Sequence, residues 1–317
     1  PYRGMTLTEI ARASLADKGV GVASMGDRMS LVGSAFTHSS SDFTNVLADV
    51  ANKSMLKGFE EANETFQLWT QKGQLSDFKI SNRVALNDMR SLEKVNEGAE
   101  YKYGTVGDRG EKIALATYGK RFSITRQAII NDDLSAFTKI PRLMGLAAIR
   151  TIGDLVYAIL TDNPKMSDNK ALFHSDHNNL FAAGSALSVA SLDAARTAMR
   201  KQKLTDGKAL GIRPEYLLVP AALETTATKL MRDTVLPGAS NGESNPVSGM
   251  AQVISEARLD EKSAIEWYLA AGSMYDTIEV AYLDGVETPF LDQMEGWSVD
   301  GTEFKVRMDA GVAPMEY

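Results

Sequence analysis

The chain has 317 residues, 41 acidic against 34 basic side chains, a net charge of −7, no cysteine and three histidines. At roughly 100–200 residues per domain, this length means two compact domains or one elaborated one. The missing cysteines exclude a disulfide scaffold, an iron–sulfur protein, a thiol enzyme and any cysteine-ligated zinc site. The acidic balance excludes an electrostatic clamp on nucleic acid, which needs a basic face.

Pro1 stands where an initiator methionine would, as expected of methionine removal, trimming or cleavage from a longer precursor. No signal-peptide pattern follows it. No membrane span is expected: the longest strongly apolar run, Leu143 to Ile149, falls short of the roughly 20 residues required and is closed by Arg142 and Arg150. Thr6 to Lys18 reads as a short amphipathic helix on Leu7, Ile10, Ala11, Ala13 and Leu15. Gly19 to Gly26 reads as a connector; its G-x-G lacks the preceding strand that a nucleotide loop requires. Ser39 to Asp42 starts a helix carrying Phe43, Val46, Leu47, Val50, Ala51, Leu56 and Phe59, expected to run to about Trp69 and to end at Gly73.

From Asp77 to Arg126 the pattern changes. Phe78-Lys79-Ile80 opens a strand-like alternation, and Glu93 to Lys112 is too charged to offset its own ordering entropy by burial. Gly104, Gly107 and Gly110 punctuate it as a hairpin. The return arm, Lys112 to Thr125, switches its apolar parity beside Gly119, which predicts a bulge or bend there. A long two-stranded arm is marginal alone and needs a support, for which a neighbouring subunit is the obvious candidate.

Asn131-Asp132-Asp133 caps a long apolar helix expected to start near Pro141 and to stop at Asn163-Pro164. Ser191 to Lys203 is a further helix capped by Ser191, Tyr216 to Pro220 a buried strand and Ala221 to Arg232 a helix. Leu236 to Gly249 is a loop. Strands are expected around Gln252–Ser255, Ile265–Ala270 and Thr277–Tyr282, with a turn at Asp284-Gly285 and a two-residue hairpin turn at Asp300-Gly301. The alternation of helix and strand from Ser191 to Tyr282 favours a mixed α/β lobe.

Chemistry is sparse. His174-Ser175-Asp176-His177, with His38 from afar, has the residue types for a metal but not the third and fourth ligands in place; a polar loop satisfying its own backbone is the simpler reading. Glu60-Glu61 and Asp132-Asp133 are ordinary helix-face and cap pairs. No P-loop, G-x-S-x-G or H-E-x-x-H occurs. Trp69, Trp267 and Trp297 are scattered, as packing anchors are. An extended arm, an unpackable charged hairpin, a long helix and an α/β lobe together describe an assembling subunit rather than an enzyme, with no cofactor and no metal site expected.

Several stretches resemble the major capsid proteins of tailed bacteriophages, the Hong Kong 97-type (HK97-like) fold, with the Mu-type major head subunit group nearest in wording. They are Asn87-Asp88-Met89 through Tyr118-Gly119-Lys120-Arg121-Phe122-Ser123-Ile124-Thr125-Arg126, Ile130-Asn131-Asp132-Asp133, Ala171-Leu172-Phe173-His174, and Val299 to Arg307 with Asp309 and Gly311-Val312. The resemblance implies an α+β fold with residues 1–41 as N-terminal arm and 42–73 as a helix leading into the peripheral domain. Residues 74–126 would be the β-hairpin E-loop, 127–164 the peripheral domain with its spine helix, 165–283 the α/β axial domain, and 284–317 the return strands of the peripheral domain. It implies self-assembly into hexamers and pentamers of an icosahedral shell around double-stranded DNA held without specific binding. Glu97, Glu100, Lys102, Arg109, Glu111 and Lys112 of the hairpin would lie at subunit contacts. Some relatives join subunits by a Lys–Asn isopeptide bond; Lys94, Lys102 and Lys112 are available, and no motif assigns that chemistry. A portal, a maturation protease and a decoration protein are the further partners implied, with assembly in the host cytoplasm and residence in the virion. An encapsulin-like cellular nanocompartment shell is the alternative of the same fold. A metal-dependent hydrolase using His174 and His177 is the distant one.

Overall fold

The computed structural model describes residues 5, 7–17, 19–22, 31, 34, 42–84, 110–125, 127, 134–181, 185–203, 207–235, 243–295 and 301–317. The chain forms two interleaved units, one of residues 1–63, 117–151 and 286–309, the other of 64–116, 152–285 and 310–317. Three of the five boundaries fall within an element, one inside a helix and two inside strands.

In the first unit, helix α1 (Leu7–Asp17) buries Ile10, Ala11 and Leu15 on one face. Helix α2 (Asp42–Glu61) buries Leu47, Ala51 and Met55 at four-residue spacing. It stops eight residues before the expected end at Trp69. Glu64 turns extended, and Thr65–Leu68 form a separate 3-10 turn, because Glu64 and Thr65 are drawn into a polar cluster described below. Helix α3 (Leu134–Asp162) begins seven residues before Pro141, which lies inside it. One lost backbone bond is tolerated there because Pro141, Gly145 and Ile149 make a buried stripe against α2.

That stripe needs two glycines. A Cβ on Gly145 would lie 2.0 Å from the Met55 carbonyl oxygen, and one on Gly58 would lie 2.1 Å from that of Arg142. The α2–α3 contact is therefore backbone on backbone at both positions. Arg142 also donates to Glu61 from the same face. The segment Thr138–Asp162 is long and apolar enough to cross a membrane by length and composition, longer than the run weighed from sequence, yet Ile149, Ile152, Val156, Tyr157 and Leu160 are covered by the protein itself.

The strands of the first unit are β4 (Ala116–Thr125), β9 (Phe290–Glu295) and the first half of β10 (Gly301–Pro314). β9 and β10 are antiparallel from Phe290↔Arg307 to Glu295↔Thr302. Six residues therefore separate the last pair, instead of the two that Asp300-Gly301 suggests; residues 296–300 lie outside those described. Thr302, Phe304, Val306 and Met308 of β10 point inward, and Phe304 stacks on Phe122 at 5.0 Å. Gly119 sits where a Cβ would come within 2.9 Å of the Val306 carbonyl oxygen. At Ala114-Leu115 the chain leaves its pairing with β2 for the sheet of β10, and β4 is one continuous strand through Gly119.

In the second unit, β1 (Gln71–Leu75) lies parallel to β8 (Ile278–Leu283), and the end of β10 lies antiparallel to β8 from Ala310↔Tyr282 to Pro314↔Ile278. Leu75, Ile113, Leu115, Ala281, Ala313 and Met315 pack together there. β2 (Ser81–Val84) and β3 (Gly110–Ile113) pair antiparallel from Ser81↔Ile113 to Val84↔Gly110. Phe78-Lys79-Ile80 precedes the strand instead of opening it. The α/β lobe has a three-stranded sheet in which β5 (Tyr216–Val219) is parallel to β6 (Gln252–Ser255) and antiparallel to β7 (Tyr268–Ala270). β7 is half the length expected from Ile265. Helix α4 (Val189–Arg200) is capped by Ser188, not Ser191; the two side chains form a reciprocal capping box. With α5 (Glu224–Arg232) it packs Leu192, Ala227 and Leu230 on Leu217, Val219 and Val247. Val247 supplies this core from the stretch read as a loop. A short helix α6 (Ala257–Lys262) follows β6.

Candidate functional site

Of the hairpin residues expected at contacts, Glu97, Glu100, Lys102 and Arg109 lie outside the described residues, as do Lys94, His38, Trp297 and the cap Asn131-Asp132-Asp133. Glu111 is on β3, where its carboxylate accepts from the Ser167 amide at 3.1 and 3.2 Å and from the Ser167 hydroxyl at 2.7 Å. Lys112, beside it, pairs across the ladder with Asn82 and is exposed.

The base of the hairpin is tied down by Arg83. Its Nε and Nη2 donate to the two oxygens of Glu279 at 3.1 and 2.7 Å, and Nη2 donates to the Gln74 carbonyl at 3.0 Å. Glu279 is buried and lies over Gly73, where a Cβ would stand 1.8 Å from its Oε1. The fork geometry of guanidinium and carboxylate makes this a rigid clamp between β2 and β8. Asp276 nearby has its pKa raised by burial and by the Glu279 charge.

A second polar cluster surrounds Arg258. Its Nη1 and Nη2 donate to Glu64 at 2.9 and 3.1 Å, its Nε donates to Asp154 at 2.6 Å, and Glu256 lies 3.3 Å from Nη1. The guanidinium sits 5.7 Å from the Tyr157 ring centre. Burial disfavours the charge on Arg258, but the bonds to Glu64 and Asp154 outweigh it and raise its pKa. Thr65 donates to Glu256 at 2.7 Å, so the Tyr157 hydroxyl donates to Thr65 at 2.7 Å, and Trp69 Nε1 in turn donates to Tyr157 at 3.4 Å. Burial pushes the Tyr157 pKa up to about 12. Nothing reactive is held at an open position here; the cluster joins α3 to the 3-10 turn and to the start of α6.

The His174–His177 loop spends its side chains on structure. His174 caps the 3-10 turn Ser175–His177 by accepting from the Asp176 amide. His177 is buried, with Nδ1 3.0 Å from the Leu172 carbonyl, Nε2 2.8 Å from Asp168 Oδ2, and its ring stacked on Tyr317 at 3.7 Å. Lys170 pairs with Asp176 at 2.8 Å, and that hydrogen bond lowers the aspartate pKa and raises the lysine's. Among the described residues no group of three His, Asp or Glu side chains could hold a metal.

On the first unit, Lys120, Arg121, Lys305 and Arg307 surround the notch at Gly119. Lys305 pairs with Asp292 at 3.2 Å, which lowers the aspartate pKa, and Arg121 lies 3.9 Å from Glu303. This is a face of mixed charge. A cavity of about 800 Å³ lies in the second unit between the α/β lobe and the end of α3.

The described residues thus give a paired hairpin base, a long through-running helix and an α/β lobe. Two solved structures share the fold. The procapsid protein of bacteriophage JBD30 superposes with a TM-score of 0.55 at 16% identity, over 68% of this chain and 98% of that one. The capsid protein of Ralstonia phage GP4 gives 0.51 at 12% identity, over 77% and 82%. No curated protein matches the chain in sequence. The sequence profile of the family described as "Phage capsid protein" matches residues 110–317, well over half the chain. The chain belongs to the phage capsid protein family and is a structural major capsid protein of Hong Kong 97-type fold. An encapsulin-like compartment shell is not favoured over it.

Proposed function

We propose that the chain assembles through hexamers and pentamers into an icosahedral shell that encloses double-stranded DNA in the virion, and that it performs no catalysis. The observation that carries this is the family match over residues 110–317; the two histidines best placed for chemistry being spent on backbone and carboxylate partners supports it. Residues 1–41 serve as arm, 42–73 lead into the peripheral domain, and 74–126 form the E-loop. Residues 127–164 and 284–317 build the peripheral domain and 165–283 the axial domain. The E-loop meets a neighbouring copy through Glu97, Glu100, Lys102, Arg109, Glu111 and Lys112. Portal, maturation protease and a decoration protein complete the partners, with assembly in the host cytoplasm and affinity to the Mu-type group. A net charge of −7 suits a lining that does not grip phosphate.

Electron microscopy of the purified chain tests this reading. Closed shells, with hexamers or pentamers as their building blocks, are expected. A monomer under every condition of concentration and salt, with no ring and no shell, would refute it.

A further inference from the structure

The second unit carries an apolar cavity and, at the far end of the same strands, an exposed apolar loop. We propose that these are the two halves of one contact, in which the loop Asp77–Ile80 of one copy seats in the cavity of the next. This inference rests on the assembly reading above and adds which surfaces meet.

The cavity is walled by Trp69, Phe173, Leu218, Trp267 and Tyr268. At its lining Ile265 is 73% exposed, Leu180 48% and Phe181 41%. Contiguous apolar surface of this kind marks a binding surface more often than bare monomer. Glu266 adds a negative charge among these residues, its carboxylate accepting from the Tyr268 hydroxyl at 3.2 Å. The loop offers the complement. The Asp77 carboxylate accepts from the Lys79 amide at 3.1 Å and turns the chain. Phe78 is then 50% exposed, Ile80 67%, and the Lys79 side chain between them 89%. Two apolar side chains flank a cation that lies 3.8 Å from the exposed Asp77 carboxylate and is free to turn to the Glu266 carboxylate of an apolar cavity.

The topology makes the contact intermolecular. Trp69 lines the cavity two residues before β1, and Thr277 lines it one residue before β8. β1 and β8 are parallel from Gln71↔Glu279 to Leu75↔Leu283, so both run from the cavity towards the loop over about 17 Å. β1 on one side and the Arg83–Glu279 clamp on the other hold the loop at that far end. A chain therefore does not fill its own cavity. A knob and a socket at opposite ends of one molecule make a head-to-tail contact, which generates closed rings when the rotation closes. Hexamers and pentamers are such rings.

The absence of cysteine allows a direct test. Lys79→Cys and Glu266→Cys are placed together in the full chain, and assembled particles are treated with a short bis-maleimide. A covalent ladder closing at six or five subunits is expected on a denaturing gel, and no ladder from either single variant. In parallel, Phe78→Asp with Ile80→Asp should lower particle yield by about tenfold or more, the effect of losing about 1.4 kcal/mol per contact, with the far-ultraviolet circular dichroism of the subunit unchanged. Intact particles without the ladder overturn the contact and leave assembly standing, whether the cavity then holds a small apolar molecule or another segment. If the unaltered chain forms no particle, the assembly reading itself falls.

Discussion

At residue scale, Gly153 leaves the space that the Glu64–Arg258 pair fills. A Cβ there would lie 2.5 Å from Glu64 Oε2 and 2.9 and 3.0 Å from the guanidinium nitrogens. Gly153→Ala is expected to cost about 2 kcal/mol, because the ends of the Glu64 and Arg258 side chains must shift and their ion pair loosens. The gain in helix propensity, about 1 kcal/mol, does not offset this. The urea midpoint should fall with an unchanged m-value; an unchanged midpoint would show that the cluster contributes nothing. Tyr157 gives a pH signature. Its pKa is raised from 10 in the unfolded chain to about 12 in the fold by burial, so its contribution is fully present below pH 10 and is lost as pH rises to 12. Tyr157→Phe should flatten the alkaline stability profile between pH 10 and 12 while costing about 1 kcal/mol at neutral pH for the lost bond to Thr65. A profile identical to that of the parent would remove Tyr157 as the titrating group. None of this cluster was legible in the sequence. Glu64, Asp154, Tyr157 and Arg258 are scattered over nearly 200 positions, and no local pattern marks an ion pair of such separation.

At element scale, the α2–α3 contact rests on reciprocal glycines. Gly58 meets the Arg142 carbonyl and Gly145 meets the Met55 carbonyl, so a methyl group at either forces the two helices apart. Gly145→Ala should destabilise the fold by about 1–3 kcal/mol. Combined with Gly58→Ala it should cost less than the sum, since the first substitution already opens the interface. Thermal unfolding of the two singles and the double checks this; strict additivity would mean that the contacts are independent. The helices themselves were readable from four-residue apolar spacing. Their ends were not: α3 runs through Pro141 and α2 stops short of Trp69 because packing and ion pairing at those points outweigh the local signals.

At the scale of the whole molecule, the segment between β2 and β3 is where folding and assembly can be tested apart. Its base closes at Val84↔Gly110, so residues 85–109 can be replaced by an Asn-Gly turn that joins the strands directly. The shortened chain should unfold at nearly the same temperature as the full one, since the Arg83–Glu279 clamp and the core around Ile113 remain, and it should form no shells. Shells at the normal yield in the electron microscope would show that the charged segment does not join subunits. Glu111, which bonds to Ser167 of its own chain, marks where this segment meets the folded body.

Composition and order alone determined that this chain has no cysteine, a net acidic balance and a charged stretch followed by a long apolar helix, because those properties are local in sequence. The partition into two interleaved units was decided by tertiary structure, as were the clamp at Glu279, the change of strand partner at Ala114-Leu115 and the spending of His177 on Leu172 and Asp168. Each depends on residues far apart in the chain whose interaction energies exceed the local preferences they override.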